Sequence, residues 1–96
     1  MIEVTDHAMK RLKERLGLPK KACQRHVERA FEEGIKHSEV TGRVKKYFDK
    51  LFFEHKASKN MRIYGTILYI FRNKTLIIVI PLPRNIIALL KTNVKF

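Results

Sequence analysis

The chain predicts an α+β layer fold: a short N-terminal strand and two to three helices packed on one face of a small antiparallel sheet. Three observations carry the class. Apolar residues recur at helical spacing over about residues 5–56, β-branched and aromatic runs replace them over about residues 61–82, and the 96 residues make a single domain spanning 1–96. A chain of this length buries about 60–65% of the surface its unfolded form exposes, enough for one core and not for two.

The elements follow in order. Ile2–Val4 reads as a short strand, and Thr5 or Asp6 caps the first helix, with the Asp6 carboxylate near its positive end. Ala8, Met9, Leu12 and Leu16 form its apolar stripe, and Gly17 stops it. Pro19 suits the first turn of a second helix, whose stripe is Ala22, Cys23, Val27, Ala30 and Phe31, closing at Gly34. After a turn region at Ser38–Gly42, residues Val44, Tyr47, Phe48, Leu51 and Phe52 share one face of a third helix. Glu54–Asn60 reads as a polar loop.

Three strands are then expected, Arg62–Tyr64, Ile67–Phe71 and Leu76–Ile80, the last two joined as a hairpin through Asn73–Lys74 without the favoured glycine. Leu76–Ile80 lacks polar alternation and so reads as the central strand, covered on both faces, with Pro81 and Pro83 ending it. The segment from Asn85 fits either a helical turn or an added strand.

Composition narrows the function classes. The longest apolar-rich run, Thr75–Leu82, is far short of the ~20 residues of a membrane span, so no membrane partner is expected. Met1 is followed by Glu3 and Asp6 rather than by an apolar stretch, and Cys23 is the single cysteine; both point to a reducing cytoplasm without disulfides. Lys and Arg number 21 against nine Asp and Glu, a net charge of +12. Such an excess repels itself in a compact fold, which makes a polyanionic partner, RNA or another nucleic acid, the expected reason for it. All the acidic residues lie at or before Glu54, so the strand half is purely basic.

No Gly-rich phosphate loop, CxxC, HExxH or GxSxG occurs, and His7, His26, His37 and His55 are scattered without ligand spacing; no metal or other cofactor is expected. Cys23 and His26 lie on the second helix's apolar stripe. The first reads as a small buried hydrophobe and the second as a core histidine satisfied by a backbone group. His7, Arg11 and Arg15 stand at i, i+4 and i+8 on the first helix, forming a row of donors that starts near its N-terminus and suits phosphate. The competing reading is a solvated helix in which Lys10 pairs with Glu14. On the strands, Arg62, Tyr64, Tyr69, Phe71 and Arg72 interleave basic and aromatic side chains, as in sheets that bind single-stranded RNA; Lys74 adds a further cation. Strand periodicity places Arg62 with Tyr64, and the expectation is that both are exposed and that Phe71 is buried.

The opening Val4–Arg15, with an H-A-x-x-R-x-x-x-R core, resembles the start of a family of small uncharacterised phage, plasmid and Gram-positive bacterial proteins. Arg62-Ile63-Tyr64-Gly65, Tyr69-Ile70-Phe71 and the apolar strand after Thr75 are similar to that family's closing hairpin. More distantly the family resembles the RelE/ParE toxin superfamily, whose members pack two N-terminal helices on a small antiparallel sheet. The resemblance implies a toxin-like, RNA-directed module and a metal-independent ribonuclease of RelE type, in which a 2′-OH attacks the adjacent phosphate. His7 or Tyr64 would move protons, and Arg11, Arg15 and Arg62 would stabilise charge. An antitoxin or host protein would be a further partner. The alternative is a non-catalytic phage or mobile-element protein that binds nucleic acid or a host nucleic-acid-handling protein. The chain departs from the toxin pattern in its third helix and in lacking a tyrosine or histidine near the last strand.

Overall fold

The structure, a computed structural model, describes residues 1–54 and 60–93. Its elements run β1 (Glu3–Val4), α1 (Asp6–Leu16), α2 (Lys20–Glu33), β2 (Ile35–Lys36), a 3₁₀ turn (His37–Glu39), α3 (Gly42–Glu54), β3 (Asn60–Tyr64), β4 (Ile67–Arg72), β5 (Thr75–Pro81) and α4 (Arg84–Asn93). The expected α+β class holds, and the sheet is mixed, in the order β1-β5-β4-β3-β2, with β1 parallel to β5 and the other pairs antiparallel.

Local signals place the ends of α1. The Thr5 hydroxyl accepts from the Ala8 N–H at 3.2 Å, and Gly17, at φ 64°, donates its N–H to the Lys13 carbonyl. In the β4–β5 hairpin, Asn73 takes φ 56°, supplying the left-handed turn position for which no glycine is available.

The sheet separates two cores. On one face Ala8, Met9, Leu12, Cys23, Val27 and Ala30 of α1 and α2 pack on Ile67, Tyr69, Phe71 and Leu76. This is the expected helical layer. On the other face, Val44, Phe48 and Leu51 of α3 and Ile86 and Leu90 of α4 cover Met61, Ile63, Leu68 and Ile70. The third helix therefore does not join the first two. Both faces of β4 are apolar, so each needs a cover, and a helix placed only on the first face would leave Leu68 and Ile70 in water. The segment after Asn85 is settled as helix, because α4 completes that second layer.

The central strand is β4, not β5. Ile67–Phe71 are all buried, whereas within β5 only Leu76 is fully buried. Strand β1 is two residues long and meets only Thr75 and Leu76, so among the described residues Ile77–Pro81 have no strand beyond them, and α1 packs alongside instead. The Leu82 N–H donates to the Thr66 carbonyl at 3.0 Å. By the alternation of an antiparallel ladder, this bond puts Pro81 opposite Ile67 where no N–H is called for, and it turns the Val79 peptide to the open edge. Strand β2 has no signature in the sequence: two residues carry no periodicity, and pairing with Arg62 and Ile63 alone makes Ile35–Lys36 a strand. Of the polar loop expected over Glu54–Asn60, residues 55–59 lie outside the described residues; Glu54 closes α3 and Asn60 opens β3. Among the described residues no helix is long and apolar enough to cross a membrane.

Candidate nucleic-acid interface

Helix α1 carries its buried stripe Ala8, Met9 and Leu12 toward β5, which leaves His7, Arg11 and Arg15 on the flank that overhangs the open edge of that strand. There they line a cleft of ≈ 410 Å³ with Glu14 and with Val79, Ile80 and Pro81 of β5. The row expected from spacing thus has an opposing wall, made of apolar side chains and of the strand edge that β1 leaves unpaired. All four ionisable residues are exposed. None of them makes a hydrogen bond or ion pair among the described residues, and the Lys10–Glu14 pair of the competing reading does not form. Chemically, one imidazole and two guanidinium groups offer donors to phosphate, while Glu14 tempers the positive field and supplies an acceptor. Glu14 lies two helical turns from His7, about 10 Å along the axis.

The strand residues go elsewhere. Arg62 is not an exposed phosphate ligand. It is half-buried against α2, where Nε donates to the Phe31 carbonyl at 3.2 Å, Nη1 donates to the Met61 carbonyl at 3.1 Å, and the guanidinium lies 5.4 Å from the Phe31 ring centre. Burial holds its pKa below the usual arginine value, with Glu39 opposing. The reason is register: Arg62 pairs with Tyr69 and so shares the face on which α2 packs. Tyr64 is also half-buried and lines a second cleft with α2, so it does not converge with His7. Arg72, the last residue of β4, and Lys74, in the β4–β5 turn, are exposed at the opposite end of β5 from Val79–Pro81, about 20 Å away along the strand. Lys74 lines a concavity that holds Glu28 and Glu32, which are poor company for a phosphate. Phe71 is buried, as expected.

The second cleft, ≈ 240 Å³, is lined by Leu18, Ala22, Arg25, His26, Arg29 and Tyr64. His26 corrects the backbone-satisfied reading: its Nε2 shares a hydrogen bond with the hydroxyl of fully buried Tyr69, and its ring meets the Tyr64 ring edge-on at 5.1 Å. Burial, then the neighbouring Arg29, lower the His26 pKa. Burial, then Tyr64 and Cys23, push the Tyr69 phenol well up. Periodicity could not find this cluster, because Tyr69 and His26 are 43 positions apart and meet only when α2 crosses the sheet. Cys23 is fully buried, its thiol directed at the Leu18 carbonyl, which agrees with the small-hydrophobe reading.

Among the described residues no group of three or more His, Cys, Asp or Glu side chains could hold a metal ion. Comparison of the chain with protein-family models, with curated proteins and with solved structures finds no match, so the functional reading rests on the site itself.

Proposed function

We propose that the protein is an RNA-directed, toxin-like module that binds single-stranded RNA in the cleft between α1 and the open edge of β5. The observation that carries the reading is the convergence of His7, Arg11 and Arg15, free of ion pairs among the described residues, on one concavity of a chain with net charge +12. Phosphates would take the guanidinium groups, and the outward Val79 N–H adds a fixed donor on the facing wall. The resemblance of Val4–Arg15 and Arg62–Gly65 to a family that is itself distantly similar to the RelE/ParE superfamily supports the same partner.

Salt dependence tests it. Binding of an oligoribonucleotide should fall steeply with salt, with a slope of about −0.7 per phosphate engaged. The double variant Arg11→Glu, Arg15→Glu should lose most of the affinity and flatten that slope by about 1.4. Wild-type binding that is insensitive to salt would sink the reading.

A second reading, metal-independent RNA cleavage, is favoured by one feature: His7 and Glu14 face the same cleft, so a proton acceptor and a proton donor are present without Tyr64. Wild-type protein in excess chelator should then leave 2′,3′-cyclic phosphate ends, and His7→Ala should bind RNA without cutting it. Under this reading, induced expression arrests bacterial growth and His7→Ala abolishes the arrest. RNA left intact by the wild type would reduce the proposal to binding alone.

A further inference from the structure

The α2–β3 cleft is independent of the α1 row and holds a feature that the proposed function leaves unused. Tyr69 is fully buried, and among the described residues its hydroxyl has one hydrogen-bond partner, Nε2 of His26. A phenolic O–H without an acceptor in that position would be costly, on the order of 1–3 kcal/mol. The satisfied arrangement has Tyr69 O–H donating to a bare Nε2, which leaves the imidazole proton on Nδ1. Neutral histidine is the form that burial and Arg29 favour here, and neutral tyrosine is favoured by the buried phenol site. The result is a fixed N–H donor on a ring that lines the cleft.

Around that ring stand Arg25 and Arg29, one turn apart on α2, and Tyr64 from β3, with no carboxylate in the lining. Neither arginine nor the Tyr64 hydroxyl makes a hydrogen bond or ion pair among the described residues. The charged and titratable groups around His26 are thus Arg25 and Arg29 of α2, Tyr64 of β3 and Tyr69 of β4. At ≈ 240 Å³ the cleft is smaller than the about 300–1,000 Å³ of ordinary small-molecule pockets. It suits a single phosphate group whose substituents extend into solvent.

We propose that this cleft is a second phosphate-binding site, in which His26 donates through Nδ1–H, Arg25 and Arg29 supply charge, and Tyr69 acts as a positioning residue that holds the imidazole tautomer. The phosphate belongs either to an RNA strand or to a small free phosphate compound. The RNA source rests on the function proposed above; the free-phosphate source does not.

The probes are inorganic phosphate and a short oligouridylate without terminal phosphates, titrated into the full chain labelled with ¹⁵N. The free protein should show His26 protonated on Nδ1 and not on Nε2. Phosphate should perturb the His26 and Tyr64 signals. An asparagine amide nitrogen reproduces Nδ1 and a glutamine nitrogen reproduces Nε2, so His26→Asn should keep affinity within a few fold, whereas His26→Gln should lose about tenfold, the worth of one charge-assisted hydrogen bond. Tyr69→Phe should release the tautomer and weaken phosphate with the fold intact. Arg25→Gln with Arg29→Gln, both at exposed positions, should abolish binding without unfolding.

An Nε2–H tautomer in the wild type, equal binding by the Asn and Gln variants, or no response of His26 to either probe overturns the proposal. Response to inorganic phosphate alone keeps the site and assigns it to free phosphate. The Arg11→Glu, Arg15→Glu variant separates the two clefts: it should lose RNA affinity while the phosphate response of His26 persists.

Discussion

Arg62 ties β3 to the end of α2 through the Phe31 carbonyl and the Phe31 face, and its Nη1 donates to the Met61 carbonyl of its own strand. Arg62→Ala should therefore lower stability by about 1 kcal/mol, the net worth of a typical intramolecular hydrogen bond, and leave the salt slope of RNA binding unchanged. Denaturant unfolding set beside a binding titration checks both halves. His26 and Tyr69 shape the dependence of stability on pH from its two ends. The folded state holds His26 below the ordinary value of 6.5, so as pH falls through 6.5 the unfolded chain takes up a proton that the fold resists, and stability declines. The folded state holds the Tyr69 phenol above 10.0, so above that pH the unfolded phenol ionises first and stability declines again. Thermal melts across pH should show both flanks. His26→Gln should flatten the acid one, and an unchanged acid flank would place its origin elsewhere.

At the scale of elements, the contact of α2 with β3 has little room. Gly34 closes α2, and a Cβ there would collide with the Ala30 carbonyl oxygen and lie 2.9 Å from Cβ of Arg62. Gly34→Ala should cost about 1–3 kcal/mol, the range of an overpacked contact, as read from the urea midpoint. His37, in the 3₁₀ turn that precedes α3, holds the middle of that helix. Phe48 is fully buried under the His37 ring, while Asp49 accepts from Lys45 at 3.1 Å and from His37 at 2.6 Å, contacts that, Lys45 foremost, hold its carboxyl below the usual range. Phe48→Ala should remove about 3–5 kcal/mol, a large part of the stability of a domain this size. A loss under 1 kcal/mol would mean that the second core closes without it.

For the molecule as a whole, the charge excess acts on folding and on binding with opposite signs. Among the described residues there is one ion pair between a lysine or arginine and a carboxylate, Lys45 with Asp49, so added salt has few attractions to screen and many repulsions. Raising ionic strength from about 0.05 to 0.5 M should increase the melting temperature while it weakens RNA binding. A melting temperature that falls with salt would argue that the cations are already neutralised within the fold.

The amino-acid pattern alone determined the first three helices, the hairpin and the His7–Arg11–Arg15 row, because each depends on residues a turn or a strand apart: 3.6-residue spacing, β-branched runs, Thr5 and Gly17 at the ends of α1. It could not say which strand is central, since five apolar residues read alike whether a neighbour covers them or not, and the two-residue β1 leaves β5 open. Nor could it sort the strand cations. Whether Arg62 faces water or α2 is decided by its register against Tyr69, and the meeting of His26 with Tyr69 depends on how α2 crosses the sheet. Contacts between distant segments are chosen by packing, and packing exists only once the two cores have closed on the sheet between them.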